Sequence, residues 1–150
     1  MRKLCSVAGI VLVAVCGPAM ALSEQDCVAA WTKADQNQDG FIQETEASRY
    51  FASLRVANKQ VSEGRMTQAV FLEHCKAGLF TTAKVDAGAP LAGANSFTEA
   101  QAKDRVLAAG YGNISALVKD DNGIWRGTAT DGPKQVKISV DYKGNVVATD

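Results

Sequence analysis

The chain has 150 residues, 47% apolar by type and 21% charged, with 16 basic residues against 16 acidic ones and a single histidine. That length holds one ordinary domain or two small ones. The balanced charge gives no electrostatic reason to expect nucleic acid or an anionic membrane as partner.

The first segment reads as an export signal. Arg2 and Lys3 form a short positive start, Ser6 to Cys16 is almost unbroken apolar sequence, and Pro18 precedes Ala19-Met20-Ala21, the small-x-small spacing a signal peptidase accepts. Two rivals stand beside it. A membrane anchor would need about 20 apolar residues, more than this run supplies. Lipid attachment at Cys16 would place Val15 where a small residue is normally required. Removal of residues 1–21 takes two basic residues and no acidic one, so the remaining chain is mildly acidic, formally −2. It retains Cys27 and Cys75, and an even pair in an oxidising compartment is most simply a disulfide. The expected location is periplasmic or secreted, with no stable membrane anchor after processing.

Ser23 is a candidate helix N-cap with Asp26 three residues on, and Val28 and Trp31 are expected to share the helix's inner face. Next comes Asp35-Gln36-Asn37-Gln38-Asp39-Gly40-Phe41-Ile42-Gln43-Glu44-Thr45-Glu46. Ca²⁺ is a hard cation that takes six to eight oxygens, and this string offers them in sequence. Asp35, Asn37 and Asp39 carry side-chain oxygens at positions one, three and five. Gly40 allows the sharp turn at six, Phe41 gives a backbone carbonyl, Gln43 acts directly or through water, and Glu46 closes the site bidentately. The string matches the EF-hand loop. Tyr50, Phe51 and Leu54 follow at helical spacing.

EF-hands usually pair. Gly64 lies in Lys59-Gln60-Val61-Ser62-Glu63-Gly64-Arg65-Met66-Thr67-Gln68-Ala69-Val70, and aligning it with Gly40 sets Met66 opposite Ile42. Lys59, Val61 and Val70 stand where oxygens are needed, so this loop reads as a degenerate hand that pairs with the first and holds no metal. The helix at about 45–57 is expected to serve both loops, and Cys27 and Cys75 to staple the outer helices. With three acidic ligands and one amide, a dissociation constant of about 10⁻⁵ to 10⁻³ M is expected. That suits a structural clamp better than a switch.

Residues 81–96, rich in Ala, Gly and Pro, read as a linker. Thr98 caps a helix with Gln101 as its capping-box partner, and Gly110 ends it. Four strand-like runs follow: Asn113 to Lys119, Ile124 to Thr130 after the Asn122-Gly123 turn, residues 134–142, and Asn145 to Thr149. In the third, Val136, Ile138, Val140 and Tyr142 are expected on one face, with Lys137, Ser139 and Asp141 on the other. The predicted fold class is α+β: an all-α EF-hand pair, one loop degenerate, then a helix packed on an antiparallel sheet.

Residues 131–146, from Asp131-Gly132 through Val136-Lys137-Ile138-Ser139-Val140-Asp141-Tyr142-Lys143-Gly144, together with the preceding helix and Gly123-Ile124-Trp125-Arg126-Gly127, resemble small exported PepSY domains. The resemblance implies a module that binds a protein, such as an exported peptidase or another periplasmic protein, with no fixed catalytic residues; the alternative function is that of a peptidase inhibitor or regulator acting through this module. Trp125 and Arg126 are its most distinctive side chains and the candidate partner surface. If they serve the fold instead, Trp125 belongs to the core and Arg126 to the solvated face.

Nothing in the sequence reads as an active site. His74 adjoins Cys75, no serine sits in a nucleophile elbow, and no glycine-rich phosphate loop follows a strand. Asp120-Asp121 precede a turn and fit it as turn residues. One histidine and two separated cysteines cannot make a four-ligand zinc site.

Overall fold

The computed structural model describes residues 22–81 and 89–149; the predicted export signal, residues 1–21, lies outside them. The layout is α+β. Helices α1 (Glu24–Ala34), α2 (Glu44–Val56) and α3 (Gln68–Lys76) alternate with strands β1 (Phe41–Gln43) and β2 (Arg65–Thr67). Helix α4 (Glu99–Ala108) then precedes an antiparallel sheet of β3 (Val118–Lys119), β4 (Trp125–Asp131), β5 (Lys134–Val140) and β6 (Val146–Thr149) in the order β3-β4-β5-β6.

In the first half, Ser23 and Asp26 close a capping box that starts α1. The helix buries Cys27, Trp31 and Ala34. Val28 is exposed, contrary to its expected place beside Trp31. The inner stripe runs through positions 27, 31 and 34, at i, i+4 and i+7, and Val28 falls off it. Strands β1 and β2 pair antiparallel with Ile42 opposite Met66, both fully buried. Phe71 is the hub of the core, with ring centroids 4.8 Å from Tyr50, 4.9 Å from Phe80 and 5.6 Å from Trp31. Cys27 on α1 and Cys75 on α3 form a disulfide with Cα atoms 5.8 Å apart. It closes a loop of 48 residues, worth about 4 kcal/mol through the entropy it removes from the unfolded chain. A disulfide of this kind belongs to an oxidising compartment. Among the described residues no helix is long and apolar enough to cross a membrane.

In the second half, Thr98 and Gln101 form the expected capping box. Beyond its C-cap, Ala109, helix α4 ends in a left-handed Gly110, with the Tyr111 N–H reaching back to the Val106 carbonyl. Its buried residues Ala102 and Val106 pack with Leu117, Ala129, Val136, Ile138, Val140 and Val146. The first predicted strand is shorter than its sequence suggests. Only Val118–Lys119 is regular, while Gly112 bridges Thr130 and the Ser115 hydroxyl accepts the Thr128 N–H. Gly127 permits this, since a Cβ there would stand 2.6–2.9 Å from Leu117, Ser115 and Ala116. Residues 115–117 occupy the face that any larger side chain would need.

The alternation expected over 134–142 also breaks, at Asp141. Val136, Ile138 and Val140 are buried, but so is Asp141, and Tyr142 is exposed. The strand has ended by then, and Asp141 opens a turn instead. Its carboxylate accepts the N–H groups of Lys143 (2.9 Å), Asn145 (3.0 Å) and Leu91 (3.0 Å) and the Asn145 side-chain amide (2.9 Å). Asp120 builds the β3–β4 turn in the same manner, accepting from Asn122 and Ile124, with a left-handed glycine three residues on in each case. The Leu91 contact, with the Gly93 N–H bonded to the Asn122 carbonyl and the Lys119 ammonium to that of Asn95, lays residues 91–95 along the sheet's turns.

The halves meet where α2 packs on α4. Arg55 grips Asp104 of α4 with two hydrogen bonds, 2.6 and 2.9 Å, and reaches Glu44 at the start of α2 at 2.7 Å. The bonds to Asp104 hold the guanidinium above its ordinary pKa.

Burial works to raise the Asp141 pKa, but the hydrogen bonds from Leu91, Asn145 and Lys143 outweigh it and hold the carboxyl below its ordinary value. Asp141→Ala leaves those donors stranded and is expected to cost about 3 kcal/mol in denaturant unfolding. A carboxyl depressed by folding stabilises fully above its unfolded pKa, about 4. That contribution disappears as pH falls through the folded value. The stability gap between wild type and Asp141→Asn should therefore close in acid.

Candidate metal site

The loop from Asp35 to Glu46 is built outward from the core. Asp35 is the C-cap of α1 and is itself buried. Gly40 adopts φ +83°, a backbone state that L side chains rarely hold, and this turns the chain into β1. Ile42 anchors that strand under β2, and Glu46 lies in the first turn of α2, just before a non-helical Ala47.

The side chains at the oxygen positions are held mainly by the loop's own backbone N–H groups. Asp35 Oδ2 accepts the Gly40 N–H at 3.2 Å, and Asn37 Oδ1 accepts that of Asp39 at 2.9 Å. Asp39 Oδ1 accepts the Phe41 N–H at 2.9 Å, and Glu46 Oε2 accepts that of Gln43 at 2.9 Å. Each carboxylate thereby spends one oxygen on the loop backbone. The second oxygens differ. Asp39 Oδ2 meets the Asn37 amide at 3.1 Å, whereas Asp35 Oδ1 and Glu46 Oε1 are buried with no hydrogen-bond partner.

Only two other side-chain atoms among the described residues share that condition, Arg49 Nε and Asn95 Nδ2. A buried carboxylate oxygen facing no donor costs several kcal/mol unless a proton or a cation meets it. Here the two such oxygens stand at the first and twelfth positions of one loop. That donor set suits a hard, oxygen-seeking divalent ion. No group of three or more His, Cys, Asp or Glu side chains placed to hold a metal occurs among the described residues. Asp35, Asp39 and Glu46 are thus not gathered into one such group, and the loop's other oxygens come from Asn37, Gln43 and the Phe41 carbonyl.

The second loop pairs with the first through its strand but turns differently. Glu63 and Gly64 have φ +58° and +66°, Arg65 lies over the Phe41 ring, and Thr67 caps α3. Val61 and Val70 pack against the core.

Trp125 and Arg126 diverge, as neighbours on a strand must. Trp125 is half-buried against the second core, donates its indole N–H to the Phe97 carbonyl at 3.2 Å and carries the Lys119 ammonium over its ring. Arg126 is exposed and bonds Asp120 at 2.7 Å and Ser139 at 3.1 Å. The Ile124 N–H and then Arg126 hold the Asp120 carboxyl below its ordinary pKa. His74 sits edge-on to Phe80. Sequence reasoning missed the Arg55–Asp104 pair, 49 residues apart, and the inward carboxylate of Asp141, which accepts from Leu91 50 residues away as well as from its own turn.

No protein-family model, curated protein or solved structure matches the chain.

The two orphaned oxygens predict a stability effect whose sign depends on the medium. In chelator, Glu46→Gln neutralises a half-buried carboxylate whose Oε1 has no partner and should melt no lower than wild type. In millimolar calcium the order should reverse, with the variant lower by several degrees in a thermal scan.

Proposed function

We propose that this chain is an exported, non-catalytic calcium-binding protein that holds one Ca²⁺ in the EF-hand loop Asp35–Glu46, with a PepSY-like binding module as its second half. The observation that carries the reading is the pair of buried, unpartnered oxygens, Asp35 Oδ1 and Glu46 Oε1. Asp35, Asn37, Asp39 and Glu46 would contribute side-chain oxygens, Phe41 its carbonyl, and Gln43 a direct or water-borne contact. The ion would serve as a clamp. The disulfide ties α1 to α3 across the hand pair, which opposes the opening that a sensor requires. At 100 times its dissociation constant calcium stabilises by about 2.7 kcal/mol, a large contribution for so small a core.

The module reading is supported by one helix on a four-stranded antiparallel meander, the arrangement implied by the PepSY resemblance. Partner binding through Trp125 and Arg126 draws less support, because both already have partners within the fold.

Calorimetric titration of the exported chain should give one calcium per molecule. Trp31, buried on α1 ahead of the loop, should change its emission in step with binding. Glu46→Gln should abolish both signals at calcium concentrations that saturate wild type. Wild-type protein that binds no calcium at millimolar concentration would refute the reading.

A further inference from the structure

The seam between the halves is not filled. Between α2 and α4 lies a cavity of about 220 Å³, smaller than the ~300 Å³ at which drug-sized pockets begin. Its wall is largely apolar, with Val56 from α2, Leu79 from beyond α3, Ala108 from α4 and Val146 from β6. Such a cavity at an internal interface, apolar with a few placed polar groups, is the common form of a small-molecule site.

The polar groups of the wall are not equivalent. Ser53 donates its hydroxyl to the Arg49 carbonyl at 3.1 Å, and Thr81 donates to that of Gly78 at 2.7 Å. Among the described residues Arg105 has no such partner. Its guanidinium lies 4.2 Å from the Phe97 ring centroid and close against Gly144, where a Cβ would come within 2.5 Å of it. The other four arginines among the described residues each donate a side-chain hydrogen bond, Arg49 to Phe80, Arg55 to Asp104, Arg65 to Glu63 and Arg126 to Asp120. Burial lowers the Arg105 pKa, and no carboxylate among the described residues opposes the shift. A half-buried guanidinium stays charged, and its fork of N–H groups matches a carboxylate.

We propose that this cavity binds a short aliphatic monocarboxylate, with its chain along Val56, Leu79, Ala108 and Val146 and its carboxylate on Arg105. The charge of Arg105 selects an anion, and the rest of the wall selects an apolar body. A peptide end would also bring backbone carbonyls in need of donors, and both wall hydroxyls have already spent their protons. An aliphatic acid brings the carboxylate alone.

The test titrates octanoate into the purified exported chain, with octylammonium and N-acetyl-leucine as comparators. Octanoate should bind saturably with one molecule per chain, octylammonium should not bind, and N-acetyl-leucine should bind more weakly. Arg105→Gln should weaken octanoate by about tenfold or more, the loss of a charge-assisted pair, while Arg105→Lys retains part of the affinity. Ala108→Leu fills the cavity with Arg105 intact and should also abolish binding, which keeps the test decisive if Arg105→Gln fails to fold. No octanoate binding at millimolar concentration would overturn the proposal. So would affinity indifferent to both Arg105→Gln and Ala108→Leu, or tighter binding of N-acetyl-leucine.

Discussion

A carboxylate oxygen withdrawn from water must meet a donor, a proton or a cation, and everything around the Asp35–Glu46 loop turns on that requirement. The chain had little freedom to avoid it. Asp35 is fixed by the end of α1, and Glu46 by the start of α2. Between them Ile42 is held under Met66 in the core. Packing at these three residues therefore turns one oxygen of each carboxylate inward. Such an arrangement is costly in isolation and becomes favourable only with a counter-charge.

The same constraint explains why the first half is so heavily tied. Its core is small, and small cores leave little surplus over chain entropy. The disulfide lowers the entropy of the unfolded chain, and the aromatic cluster around Phe71 adds edge-to-face contacts between large side chains. Helix α2 also finds cover from α4 in the second half. The second half has neither disulfide nor aromatic hub among its described residues. It depends on backbone ladders and on two aspartates that build its tightest turns.

Local chemistry was readable in the sequence. The capping boxes at Ser23 and Thr98, the pairing of Ile42 with Met66, the Cys27–Cys75 bond and the helix-then-sheet order all depend on short spacings or on the simplest pairing of two cysteines. Local pattern failed where a distant neighbour decided. Val28 is apolar yet exposed, because the cysteine on α1 sets which stripe faces α3. Asp141 satisfied a period-two pattern as an outward residue, but Leu91, 50 positions away, requires its carboxylate inside. The run from Asn113 looks like a strand and is mostly irregular, because Gly127 across from it offers a bare backbone to pack upon. The loop's candidate ligands were legible one by one. The orphaned state of two of their oxygens was not, since burial is a property of the whole fold.

Arg55 shares one guanidinium between Glu44, which belongs to the loop's own exit turn, and Asp104, which belongs to the other half. Energies at those three positions cannot be apportioned one residue at a time. Losing either acid alters how the cation is held by the other, so their separate truncations need not sum to the double one. The seam joining the halves and the turn that presents Glu46 thus share a thermodynamic account, and a change at α4 can be felt two residues from a candidate ligand.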